Sequence, residues 1–163
     1  MAAPATAAGY VTISWDQLHR DARSLAALLL PRAPFAGIVA ISRGGLIPAA
    51  IVARELECRL IETICIASYA GEAGTLGEPR VLKTPAAAGD GAGFLIIDDL
   101  VDSGTTARVV RDVLPRAHFA CLYAKPAGRS CADSYVAELK LDCWILFPWD
   151  TAPMFVPPIG RQG

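Results

Sequence analysis

The chain has no CxxC pair, only two histidines, and no apolar run long enough to span a bilayer. Its cysteines, Cys58, Cys65, Cys121, Cys131 and Cys143, form an odd set, and neither His19 nor His118 stands at zinc-ligand spacing from them. Neither a disulfide framework nor a structural zinc site is indicated, and reduced thiols are the expectation. Cys65 in ETICIASY and Cys121 in HFACLYA lie in apolar stretches, where a free thiol serves as a small hydrophobe. Charge is sparse and balanced, 15 Lys and Arg against 16 Asp and Glu, for a net charge of -1. Such a chain has no bulk field to draw in nucleic acid or anionic lipid, so no nucleic-acid partner is expected and any bound anion must be held by local groups. The opening MAAPATAAGY sets no basic residue ahead of a continuous apolar segment. That argues for a cytoplasmic protein without an integral membrane segment, peripheral attachment to a membrane being left open. The Walker consensus GxxxxGK[ST] is missing, and so are internal repeats and coiled-coil heptads.

What is present is enough apolar material, 53% of 163 residues, for one domain over 1–163 with a real core. Ser14 and Gln17 fit a capping box, and Trp15, Leu18, Ala22, Leu25, Ala26 and Leu29 then recur at helical spacing until Pro31. GIVAIS, residues 37–42, is short, apolar and β-branched, which predicts a buried strand. SRGG is a turn, and LIPAAIVARELEC, 46–58, reads as a helix that tolerates Pro48 in its first turn. IETICIASY and FLIID predict two more strands, TTARVVRDVL a helix stopped by Pro115, and HFACLYA a further strand. Strands alternating with helices predict an α/β fold, a mostly parallel twisted sheet flanked by helices, with ligands at the carboxyl ends of its strands.

Two segments stand outside this alternation. Residues 71–93 hold six glycines and little apolar material apart from a short RVLK piece, and read as a mobile lid loop whose central cations, Arg80 and Lys83, favour closure on an anion. Residues of about 143–160, CWILFPWDTAPMFVPPIG, are aromatic and proline-rich, and predict a small C-terminal hood that packs irregularly after one short strand.

The most informative stretch is FLIIDDLVDSGTT, 94–106, which crowds Asp98, Asp99 and Asp102 into five positions with no cation downstream nearer than Arg108. Carboxylates this close repel unless a counter-ion or polar ligand lies among them. A turn of small residues opening a helix exposes consecutive backbone N–H groups at the positive end of the helix dipole, which makes a phosphate cradle of Asp102, Ser103, Gly104, Thr105 and Thr106. The acidic pair precedes that cradle, so the ligand should carry hydroxyls or a metal about one sugar ring from its phosphate. Asp98 and Asp99 suit ribose hydroxyls or Mg²⁺. Each half of the stretch has an ordinary use as a strand end or a helix cap; the combination is far more particular.

FLIIDDLVDSGTT resembles the phosphoribosyl pyrophosphate signature of type I phosphoribosyltransferases. SRGG, AKPAGR, CWILFPWD and FVPPIGR, in order, extend the likeness to the bacterial purine members that use xanthine and guanine, from about Tyr10 to Arg161. The resemblance implies transfer of a phosphoribosyl group from phosphoribosyl pyrophosphate to xanthine or guanine, with hypoxanthine admitted, Mg²⁺ as cofactor, and a homotetramer. By the same resemblance Asp102 is the candidate general base at the purine N7. Asp98 and Asp99 bind ribose, with Asp99 the better candidate for Mg²⁺. Ser42, Arg43 and Gly44 form a pyrophosphate loop containing a non-proline cis peptide. Lys125 meets the 6-oxo group, Trp144 stacks on the base, and the Ile145 backbone reads the purine 2-position. The family places a pyrophosphate-binding arginine in the lid where this chain has Gly77, so Arg80 substitutes or Arg43 acts alone. A regulatory protein that keeps the same site as a sensor, and a transferase for another base, are the competing readings; the first normally brings a basic surface or an added segment that this chain lacks.

Overall fold

The computed structural model describes residues 9–70, 76–140 and 143–150. Helix α1, Trp15–Leu29, begins at Ser14, whose side chain accepts from the Gln17 backbone N–H at 3.1 Å. The predicted capping box is half formed, because the Gln17 side chain turns away to donate to Asp21 at 2.7 Å. Strand β1, Tyr10–Thr12, precedes it; strand β2, Gly37–Ser42, and helix α2, Leu46–Glu55, follow. The sequence placed the end of α2 at Cys58, three residues too far. Glu57 takes a left-handed conformation, φ 53°, and the Cys58 N–H returns to the Ala53 carbonyl at 2.9 Å, a helix-terminating turn without the usual glycine.

The main sheet comprises β2, β3 (Ile61–Ala70), β4 (Leu76–Lys83), β5 (Phe94–Val101), β6 (His118–Ala124) and β7 (Ser134–Glu138), in the order β4-β3-β2-β5-β6-β7. All pairings are parallel except β3 with β4. The expected mostly parallel sheet is therefore present. Alternate residues of its central strands feed two cores, as the two-residue period of a strand buried on both faces requires. Ile38, Ala40, Leu95, Ile97, Ala120 and Leu122 pack with α1 and α2, whereas Val39, Ile41, Ile96, Phe119 and Cys121 pack with helix α3, Thr105–Val113.

Two readings are corrected here. The segment 71–93, expected as one loop, contains β4, which pairs Arg80 with Ala67 and Val81 with Ile66, so the RVLK piece is sheet. Its glycines and prolines hid a strand whose partner is β3, and propensity alone does not see such a partner. Strand β5 continues through the acids to Val101 instead of stopping at Asp98, held by pairing of Leu100 with Tyr123 and Val101 with Ala124. The hood has the one short strand expected of it: β8, Trp144–Leu146, pairs in parallel with β1 as a separate two-stranded sheet and does not continue the main one. The part of the hood beyond residue 150 lies outside the described residues.

Candidate active site

Three elements end at the same edge of the main sheet, β5 with its following turn, the turn after β2 and the start of the connection after β6, and the hood after β8 packs against that edge. The first is built from contiguous sequence. Beyond Val101 the chain turns through Asp102, Ser103 and Gly104 into α3. Gly104 sits at φ 83°, a left-handed conformation that a side chain resists, and it begins α3 without a side-chain cap. The first amides of the helix are thus left for an outside acceptor. A small concavity of about 90 Å³ is lined by Asp98 and residues 100–107. The exposed hydroxyls of Ser103 and Thr105 lie 2.9 Å apart, and Thr106 begins the exposed rim beside them.

The acidic pair lines two adjoining concavities, and the two carboxyls are close enough to share a hydrogen bond. Asp98 is 7% exposed, lines the small concavity, and accepts from the Asp99 N–H at 2.9 Å. Asp99 accepts from the Leu100 N–H at 2.7 Å and lines a second cavity of about 680 Å³ with Ser42, Arg43, Gly44, Leu46, Trp149 and Asp150, among others. Burial pushes the Asp98 carboxyl well above the usual carboxylate range, and the neighbouring charge of Asp99 pushes it further. Burial also raises Asp99, with Asp150 adding to the effect. Both acids are therefore uncomfortable as bare anions and suit a site that brings donors or a cation.

The Ser42–Arg43 peptide is cis, as the resemblance implies. Arg43 is exposed and Ser42 half-buried, with its hydroxyl 3.4 Å from the Ile64 carbonyl. A Cβ on Gly44 would overlap the Asp99 carboxylate, so the turn after β2 approaches β5 as closely as a glycine permits.

Lys125 follows β6 and is fixed by its backbone N–H, which donates to the Val101 carbonyl at 2.9 Å. It is 7% exposed, yet its ammonium reaches Asp102 Oδ1 at 3.2 Å. A buried ammonium beside an exposed carboxylate is held in place, and the pair stands at the mouth of the small concavity. In the hood, Ile145 is buried and Trp144 is 64% exposed, so Trp144 is not a core aromatic. Phe147 and Trp149 stack at 4.9 Å, and Asp150 accepts from the Phe147 N–H at 2.9 Å.

The structure brings Ser42, Arg43, Gly44 and Asp99 to one cavity, and Asp98 and residues 102–106 to its neighbour, with Lys125 joined to the second through Asp102. Arg80 is placed apart, exposed in β4 opposite Ala67. Sequence reasoning missed Asp150; only the FPWD turn carried it, and its approach to Asp99 depends on how the hood folds back. For Mg²⁺ the donor chemistry fits. Among the described residues no cluster of three or more metal-ligating side chains forms a protein cage, but Mg²⁺ uses one or two carboxylates with waters and substrate oxygens. Asp99 offers such a carboxylate beside Arg43, and Asp150 lines the same cavity.

An uncapped helix start, two buried acids on the strand before it and a second, arginine-bearing turn, all at one carboxyl edge of a parallel sheet, fit a nucleotide- or phosphosugar-handling α/β protein. Comparison with known proteins narrows the class. The family model for the phosphoribosyl transferase domain matches residues 14–155. The chain is 67% identical over 94% of its length to a xanthine-guanine phosphoribosyltransferase of Gluconobacter oxydans, covering 92% of that protein. It is 55% identical over 92% of its length to one of Nitratidesulfovibrio vulgaris, covering 90% of it. Among solved structures, a purine phosphoribosyltransferase from Pyrococcus horikoshii superposes with TM-score 0.74 at 29% identity, over 91% of this chain and 99% of that one. The chain belongs to the phosphoribosyltransferase family, and it is an enzyme of the pentosyl-transferring class.

Proposed function

We propose that the protein transfers the phosphoribosyl group of phosphoribosyl pyrophosphate to N9 of xanthine or guanine, with hypoxanthine a third acceptor, releasing pyrophosphate in purine salvage. The observation that carries this reading is the 3.2 Å separation of Lys125 Nζ and Asp102 Oδ1. A 6-oxopurine presents O6 and N7 side by side on one edge, about 3 Å apart. A donor and an acceptor at that spacing match an O6 acceptor and an N7–H donor. Adenine would set a 6-amino donor against the ammonium, leaving the buried Lys125 without a partner on the base.

In this reading the amides and hydroxyls of residues 102–106 hold the 5′-phosphate, and Asp98 accepts from the ribose hydroxyls. Arg43, Ser42 and the Gly44 backbone face the pyrophosphate. Asp99 would hold Mg²⁺, which when bound would supply neutralising charge at the pyrophosphate site. As the C1′–oxygen bond to pyrophosphate breaks and the N9–C1′ bond forms, Asp102 accepts the N7 proton, and Lys125 steadies both O6 and the carboxylate. The exposed face of Trp144 stacks on the base, with the Ile145 backbone at the 2-position substituent. Arg80, exposed in β4, is offered as an additional pyrophosphate contact. Retention of the Asp102–Lys125 pair favours catalysis over a sensor role, since a sensor needs no proton acceptor.

We also infer a homotetramer, from the resemblance, to be checked by light scattering. Among the described residues no helix is long and apolar enough to cross a membrane, consistent with the cytoplasmic location proposed. The test is direct: purified protein with phosphoribosyl pyrophosphate, Mg²⁺ and each base in turn. XMP and GMP should form and AMP should not; equal use of adenine would remove the role given to Lys125.

A further inference from the structure

We propose that Arg108 is a positioning residue of the phosphate cradle: it sets the direction of a two-hydroxyl chain so that Ser103 presents its O–H to the 5′-phosphate. The inference deepens the functional reading above and rests on it for the identity of the anion. Arg108 lies one turn into α3, where a side chain leans back toward the helix start. Its Nη2 lies 3.5 Å from Thr105 Oγ1 and its Nη1 3.8 Å from Cys131 Sγ. Among the described residues it forms no ion pair with a carboxylate, although Asp112 stands one turn further along. An unneutralised guanidinium next to an anion cradle is a charge available to the ligand.

The proton arithmetic gives the argument its direction. Guanidinium has donors only, and a hydroxyl has one proton and two lone pairs. Where Arg108 donates to Thr105 Oγ1, the Thr105 proton is free for Ser103 Oγ, 2.9 Å away. Ser103 Oγ also faces the Thr105 N–H at 3.4 Å, so both of its lone pairs point at Thr105. Its own proton is left to point outward, where a phosphate oxygen needs a donor. Without Arg108 nothing donates to Thr105 Oγ1 from the helix side, so the reverse arrangement, in which Ser103 donates to Thr105 Oγ1 and turns a lone pair toward the dianion, gains weight. The Cys131 contact and the close backbone of Gly104, where an added Cβ would come within 3.0 Å of Arg108 Nη1, hold the guanidinium from two further sides.

The experiment compares Arg108→Met, Arg108→Lys, Thr105→Val and the Met/Val double variant with the parent. Readouts are steady-state kinetics with varied phosphoribosyl pyrophosphate, calorimetric titration with ribose 5-phosphate and with ribose, and thermal melting. Arg108→Met is expected to raise KM for phosphoribosyl pyrophosphate and Kd for ribose 5-phosphate about five- to tenfold, with KM for guanine and Tm held, and kcat falling far less than kcat/KM. Arg108→Lys recovers part of the loss, and the double variant is no worse than the poorer single one, as coupling through one hydroxyl requires. Unchanged constants in Arg108→Met, strictly additive losses, or an equal loss of guanine binding with a lowered Tm would each overturn the proposal. If the parent made no nucleotide from any base, the functional reading would fail while the ribose 5-phosphate titration still decided Arg108. A parent that bound ribose 5-phosphate no better than ribose would overturn both.

Discussion

The two halves of the site are built in different ways. The side proposed for the phosphate, Asp98 to Arg108, comes from a single run of chain in which strand, turn and helix start follow one another. The side proposed for base and pyrophosphate is assembled from residues 42–44, 125 and 144–150, brought together by sheet order and by pairing of β1 with β8. Main-chain amides suffice to grip a phosphate, because every residue of a helix start supplies one. Recognition of a purine edge needs a donor, an acceptor and a flat face at fixed separations, which no short peptide holds. The local half can be prefolded; the distant half has only the precision of the whole fold.

The largest expected effect falls where the halves meet. Asp102→Asn should lower kcat about 10²–10⁴-fold while leaving phosphoribosyl pyrophosphate binding nearly intact, as loss of a proton acceptor but not of the cradle requires. Unchanged turnover with guanine, in the same steady-state assay, would place the proton elsewhere. Next, Lys125→Ala should weaken 6-oxopurine use about 10- to 100-fold, through the O6 contact and the freed Asp102, and should narrow the preference over adenine. Equal loss of ribose 5-phosphate affinity by calorimetry would mean that the two halves are not separable. Trp144→Ala should raise KM for the base about tenfold by loss of stacking, with no change in Tm because the side chain is already 64% exposed.

The smallest effect concerns the acids. Burial raises the folded-state pKa of Asp98 above its unfolded value, so its contribution to stability is fully present below the ordinary carboxylate range and is lost as pH rises through the raised folded value. Asp98→Asn keeps an acceptor for the Asp99 N–H and removes the buried charge. In ligand-free protein it should raise Tm at neutral pH, and the gain should shrink as pH falls toward the usual Asp range; melting curves across that range check it. The same variant should bind ribose 5-phosphate less well, which separates what the site needs from what the fold prefers.

The contrast between local and distant construction also explains what the amino-acid order made legible. The α/β alternation, helices α1 and α3, strands β2, β3 and β6, and the turn that opens α3 were readable because periodicity and turn chemistry are local signals. Strand β4 was not, since its pairing with β3 outweighs its Gly77 and Pro79, and neither was β1, three residues whose strand partner among the described residues, β8, is near the other end of the chain. The continuation of β5 through Asp98 and Asp99 was hidden because two acids resemble a strand end until their neighbours Leu100 and Val101 find β6. At the site, Asp150 and Arg108 carried no motif of their own; their relevance arises from where Asp99 and Thr105 place them.

The account stands most directly on a crystal structure of the protein with GMP. It predicts the 5′-phosphate against the amides of Ser103 to Thr106 and the O6 and N7 edge of the base facing Lys125 and Asp102. A phosphate seated instead in the Arg43 cavity, or a base edge turned away from Lys125, would contradict it.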